Sequence, residues 1–193
     1  MQRQVFVFDP PERFVAGTVG QPGERTYFLQ ARDAVQTVSV SLEKVQVTVL
    51  ADRLEELLGE VERRRGKTQP SAIVDPKDPP PEPDQDVAPL DTPVEEQFRV
   101  GAMGLAWDAE ADRIVVEAQA ATDEPVDEST ILEDVEEGPD ALRVRITPAA
   151  AQAFIARARR VVAAGRPLCP LCALPLDAQG HICPRQNGYR RQT

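Results

Sequence analysis

Two runs of strand-like sequence, each closed by one amphipathic helical segment, limit what this chain can become. In the first run, Gln4 to Phe8 is apolar and β-prone and is stopped by Pro10-Pro11. Arg13 to Val19 and Arg25 to Ala31 form the arms of a hairpin around Gly20-Gln-Pro-Gly23, where glycine supplies positive φ and proline fixes φ near −65°. Gln36 to Leu42 alternates, with Val38, Val40 and Leu42 on one side and Thr37, Ser39 and Ser41 on the other, the pattern of a strand with one wet face. Strands that come in runs, instead of alternating with helices, exclude a doubly wound parallel sheet and point to an α+β domain.

The closing helix of the first run spans Glu43 to Arg65. Val47, Leu50, Leu54, Leu57, Leu58 and Val61 form one apolar stripe, and Arg63 to Gly66 make a C-terminal end. Its start is ambiguous, because Val45, Val47 and Val49 also alternate like a continuing strand. The second run repeats the plan. Glu95 to Trp107 and Arg113 to Ala121 are strands around the loop Asp108–Asp112, and Ala141 to Ile146 is the cleanest strand in the chain. Thr147-Pro148 then opens a helix with a capping hydroxyl and a proline in its first turn. Ala151, Phe154, Ile155, Ala158 and Val162 form its stripe, and Gly165 and Pro167 end it. The shared plan suggests an internal duplication, although no residue-level repeat accompanies it.

Between the halves lies a Pro-rich acidic linker, 67–93. It carries eight of the eighteen prolines, so it is expected to be extended or mobile. A second irregular stretch, Thr122 to Asp140, has nine acidic residues and no Lys or Arg, and reads as a solvated loop. The expected organisation is therefore strands plus helix over 1–66, the linker over 67–93, strands plus helix over 94–166 as the second half of the same domain, and a terminal module over 167–193. The expected fold is α+β: about seven mostly antiparallel strands in a sheet or half-barrel, two amphipathic helices, and a C-terminal zinc knuckle.

That knuckle holds every cysteine and the only histidine of the 193 residues: Cys169, Cys172, His181 and Cys183. Thiolate and imidazole suit tetrahedral zinc, and Cys-x-x-Cys is its usual chelating pair. His181 and Cys183 are more tightly spaced than a usual second pair, but an extended backbone puts positions i and i+2 on one side. Iron in a rubredoxin-like site is disfavoured by the histidine. A redox Cys-x-x-Cys is disfavoured because the motif follows a helix end, not a strand. With four protein ligands the zinc would be structural, and with His181 committed, Ser-His and Cys-His nucleophilic mechanisms are unavailable.

The formal net charge is −10, which repels nucleic acid and anionic membrane overall. Its distribution is uneven: Arg157 to Thr193 carries seven Arg and one acid, Asp177. Arg185, Tyr189, Arg190 and Arg191 are candidate contacts for an anion or nucleic acid, by guanidinium forks and ring stacking. The plainer reading is that these arginines complement a helix end and the protein's own acidic segments. No run of about 18 apolar residues marks a membrane span, and the N-terminus has no signal-peptide pattern, so a reducing cytoplasmic setting is expected.

Phe8-Asp-Pro-Pro-Glu-Arg-Phe-Val-Ala-Gly-Thr-Val-Gly-Gln-Pro-Gly23, Tyr27-Phe-Leu-Gln-Ala31 and the C-terminal Cys169-Pro-Leu-Cys172…Gly180-His-Ile-Cys-Pro-Arg-Gln-Asn-Gly-Tyr-Arg190 together resemble an actinobacterial family of unknown function. The resemblance spans essentially the whole chain. It implies no activity. It does imply a cytoplasmic protein encoded in a trio with a phosphoinositide-kinase-like protein and a phosphomutase-like protein. Ala173 departs from the glycine that often follows the second cysteine of a zinc knuckle. The expected function is a non-catalytic, zinc-stabilised adaptor docking a partner protein through its C-terminal region, with the kinase-like and phosphomutase-like proteins as the candidate partners. The alternatives are a nucleic-acid-binding protein using the Arg-rich knuckle, and an enzyme of unrecognised type.

Overall fold

The computed structural model describes residues 3–21, 23–68, 86–122, 131–132, 135, 137–164, 169, 171–172, 183 and 185. The elements are β1 (Val5–Phe8), β2 (Arg13–Val19), β3 (Thr26–Arg32), β4 (Thr37–Leu42), α1 (Lys44–Thr68), β5 (Glu96–Asp108), β6 (Arg113–Ala120), β7 (Ala141–Ile146) and α2 (Pro148–Ala163). The strands form one open sheet in the order β1-β7-β6-β5-β4-β3-β2. Four pairings are antiparallel; β1–β7 and β4–β5 are parallel. Fold class and strand count agree with the sequence reading. The two meanders, β2-β3-β4 and β5-β6-β7, follow one another along the sheet in the same sense, each ending in a helix. This is the topology that a tandem repeat would give.

Local chemistry explains the elements. Gly20 and Gly23 have φ of +104° and +107°, so the β2–β3 turn uses glycine where a side chain would be strained. Thr147 caps α2 by accepting a hydrogen bond from the Ala150 N–H, with Pro148 at the first helical position. The ambiguous valines belong to α1. Gln46 accepts from the Glu43 N–H, half of a capping box, and starts the helix at Lys44. The 3.6-residue period then separates the three valines: Val47 is fully buried, whereas Val45 and Val49 emerge on the outer side.

One face of the sheet packs against α1 and α2. Ala16, Leu29, Ala31, Val38, Val40 and Leu42 from the first meander join Ile114, Val116, Leu142, Val144 and Ile146 from the second in a single core. The helices contribute Val47, Leu50, Leu54 and Leu58 from α1, and Ala151, Phe154, Ile155 and Ala158 from α2, as the stripes predict. The rings of Phe14 and Phe154 stack at 4.7 Å between centroids.

The opposite face departs from the sequence reading in two places. Ser39 and Ser41 of β4 are buried, not wet. The cause is residues 86–94, the described end of the Pro-rich segment, which lie across β2 and β3. Leu90 packs on Val15 and Phe28, and occupies the space where a side chain on Gly17 would be. The Gln30 side chain bonds Asp91 in both directions, 2.8 and 3.0 Å, and also reaches Ser39. Arg13 and Arg157 clasp Asp86, and the Arg157 Nε–H also donates to the Ala16 carbonyl of the edge strand β2. That bond explains why an arginine sits buried in the apolar stripe of α2.

The second departure concerns the acidic stretch: its described residues Ile131 and Leu132 are half-buried against β5 and β6 and Pro139 and Asp140 are half-buried, whereas Glu137 and Gly138 stand in solvent. Ile131 fills the space beside Gly104. Beneath them Glu117 is fully buried, with its carboxylate accepting from Arg3 at 2.7 Å, Arg143 at 2.7 Å and Gln119 at 2.8 Å. Burial alone would push the Glu117 carboxyl up. The Gln119 and Arg143 donors, the Arg143 charge and the Leu132 N–H outweigh it, and hold the group below its usual range.

Candidate metal centre

The chain beyond α2 brings its three cysteines together. Cys169 and Cys183 are buried and Cys172 is half-buried. Their sulfurs all lie within 4.8 Å of one another, and the Cys169–Cys183 pair is 3.9 Å apart. A disulfide requires about 2.05 Å, so the thiols are not bonded to each other. Four ligands about 2.3 Å from a tetrahedral zinc stand about 3.8 Å apart, close to the spacing of the Cys169–Cys183 pair.

Electrostatics at the first cysteine favour the thiolate. The Leu171 N–H, followed by that of Cys172, donates to the Cys169 sulfur from the turn between the chelating pair. These bonds lower the Cys169 thiol against the opposing effect of burial. A lowered thiol is what a metal ligand needs, because the thiolate is the binding form. The three sulfurs could therefore hold one soft or borderline ion such as zinc.

His181, Tyr189, Arg190 and Arg191 lie outside the described residues, so the fourth predicted ligand and most of the predicted basic contact set have no observed position. Arg185 is described, in a turn and exposed to solvent. The sequence reading missed the buried cluster Arg3–Glu117–Arg143 and the Arg13–Asp86–Arg157 clasp. The available signal was an acid inside the apolar strand Ile-Val-Val-Glu-Ala, which register places opposite Arg143. Glu117 has no exposed surface. Trp107 is half-buried at the end of β5 with the Arg65 guanidinium 5.2 Å above its ring.

The pattern of one protein family, described as "Protein of unknown function (DUF3090)", matches residues 6–183. The chain belongs to that family. The match takes in β1 from Phe6, the other eight elements whole and the three cysteines. No curated protein and no solved structure matches the chain. Among the described residues, no helix is long and apolar enough to cross a membrane.

Proposed function

We propose that Cys169, Cys172 and Cys183, with His181 as the fourth ligand, hold one structural zinc ion, and that the protein is a non-catalytic adaptor docking a partner protein through the C-terminal region so ordered. The convergence of three sulfurs within 4.8 Å carries this reading. A zinc with four protein ligands has no open position for substrate, so its contribution is to folding. It would tie Cys169, Cys172 and Cys183 to one ion. The kinase-like and phosphomutase-like proteins implied by the sequence resemblance are the partners we favour.

The test is metal analysis of full-length protein purified without chelator, followed by co-purification with each of those two proteins. About one zinc per chain is expected, falling to a small fraction in Cys169→Ser and in His181→Ala. Partner retention should fall in the same variants while the far-UV spectrum of the β-rich body is kept. Metal-free protein with three freely titrating thiols would overturn the metal reading. Full zinc occupancy without retention of either partner would overturn the adaptor reading alone.

A further inference from the structure

A second surface, independent of the metal, follows from an imbalance in strand length. β5 has thirteen residues and β4 only six, and their parallel pairing stops at Ser41 opposite Arg99. From Gly101 onward β5 has β6 on one side and, among the described residues, no strand on the other. Backbone accounting shows what this leaves open. The Ala120 N–H donates to Asp140, toward β7, and the Ala121 N–H donates to Arg99, toward β5. Alternation then turns residues 113, 115, 117 and 119 toward β5, and their partners 108, 106, 104 and 102 complete that ladder. Met103, Leu105 and Trp107 consequently aim their N–H and C=O groups away from β6, at an edge that no described residue pairs with.

That edge forms one wall of a groove, and α1 forms the other. Gln46 ties the start of α1 to the carbonyls of Val100 and Gly101. At the far end Arg65 covers Trp107 and pairs with Asp112. Between these ties lies a cavity of about 280 Å³ lined by Val45, Val49, Gly101, Met103, Leu105 and Arg53 among others. Val45 and Val49 are 64% and 47% exposed, unusual for neighbouring valines on a helix that buries its other face.

We propose that this groove takes an extended segment of a partner protein, added to the sheet as a strand beside β5. The chemistry of the walls selects the occupant. A row of N–H and C=O groups two residues apart is complemented by the main chain of another strand; a docked helix would leave it unpaired. Aliphatic side chains at alternate positions of the segment meet Val45, Val49, Met103 and Leu105. Arg53 is the one charged residue lining the cavity. Its pair with Glu56 is two-thirds exposed on both sides and therefore weak, so an acidic residue of the segment can take it over. The ligand is a β-strand peptide with alternating aliphatic residues and an acid at the α1 side.

The test uses the full chain and a phage-displayed library of random decapeptides. Selected peptides should alternate aliphatic residues, carry an acid, and lose binding when their backbone is N-methylated. Amide exchange should be faster at Met103, Leu105 and Trp107 than at Ala102, Gly104 and Ala106 in the free protein, and should slow at the first three when peptide binds. Val49→Asp, an exposed position that leaves folding intact, should weaken binding about tenfold or more, because it puts a charge on the aliphatic wall. Arg53→Glu should shift selection from acidic to basic peptides. The proposal is overturned if no peptide is selected, if selected peptides ignore both substitutions, or if the three amides are already slow in the free chain. Slow exchange that depends on protein concentration, with dimer in sedimentation, would assign the edge to a second copy instead.

Discussion

Replacing Glu117 by glutamine isolates the electrostatics of the buried cluster, since the amide keeps the side-chain volume and opens no cavity. In the native protein the carboxylate meets Arg3, Arg143 and Gln119 at 2.7, 2.7 and 2.8 Å, and the side chains of Arg3, Arg143 and Glu117 are 1%, 9% and 0% exposed. Glu117→Gln removes the carboxylate that the two buried guanidinium groups share. Breaking a buried pair in this way costs about 3–5 kcal/mol, against a total stability of about 5–15 kcal/mol for a domain. For a chain of this size each kcal/mol moves the melting temperature by about 2–4 °C, so a drop of roughly 6–20 °C is expected. Urea unfolding followed by the fluorescence of Trp107, the sole tryptophan, reads the loss directly.

The pH dependence gives a second readout of the same group. The folded Glu117 carboxyl lies below its ordinary value of 4.5, so the unfolded chain takes up its proton first as pH falls. Its stabilisation is complete above the unfolded value and is lost as pH falls through the folded one. Wild type should therefore lose stability in that acid window, and Glu117→Gln should lose less there. A combined Arg3→Met, Glu117→Leu, Arg143→Met variant should recover much of the single-variant loss, because it removes the buried guanidinium charges together with the carboxylate they share. A loss below about 1 kcal/mol for Glu117→Gln, or equal losses for the single and triple variants, would refute the reasoning.

Two further substitutions probe the Pro-rich segment, beside the metal and groove tests above. Arg157→Met removes the donor to Ala16 and to Asp86; it should cost about 1–3 kcal/mol in urea unfolding and speed amide exchange at Asp91. Gly17→Ala places a methyl group 2.5 Å from the Leu90 side chain and should cost about 1–3 kcal/mol, with Leu90→Ala offsetting part of that loss in a double-mutant cycle.

The sequence made the strands, helices and caps legible because these depend on neighbours a few residues away. Ala141–Ile146, the Thr147 cap and both helical stripes appear where periodicity places them. The burial of Ser39 and Ser41 was not legible, because their cover comes from residues about fifty positions later that carry a disordered-looking composition. Gln30, Asp91 and Leu90 show how such a segment is held: one amide mimics a strand partner and one leucine meets a glycine. The charged cluster was hidden for a related reason. Arg143 and Glu117 look like solvent-facing positions until the register pairs them and Leu132 folds over them. The cysteine site lies at the other extreme, since a two-residue chelate spacing is local, and its three thiols converge as the spacing implies.

The fate of the arginines bears on the choice between a protein partner and nucleic acid. In the described body Arg3, Arg13, Arg143 and Arg157 are mostly buried and committed to Glu117, Asp86, Asp91 or backbone carbonyls. A cation held in this way cannot exchange its partner for a phosphate without unfolding its surroundings. Arg159 is exposed, but it bridges to Glu55 and Asp52 of α1. These five arginines thus serve the architecture of the body, whereas Arg53, Arg63, Arg64 and Arg99 stand in solvent beside Glu56, Glu60 and Glu43. Nucleic acid at Arg185 or the tail would approach against the field of a chain with net charge −10. A partner protein meets no such opposition at an aliphatic groove beside an open strand edge. This balance of charge and apolar surface supports the proposal of a protein partner.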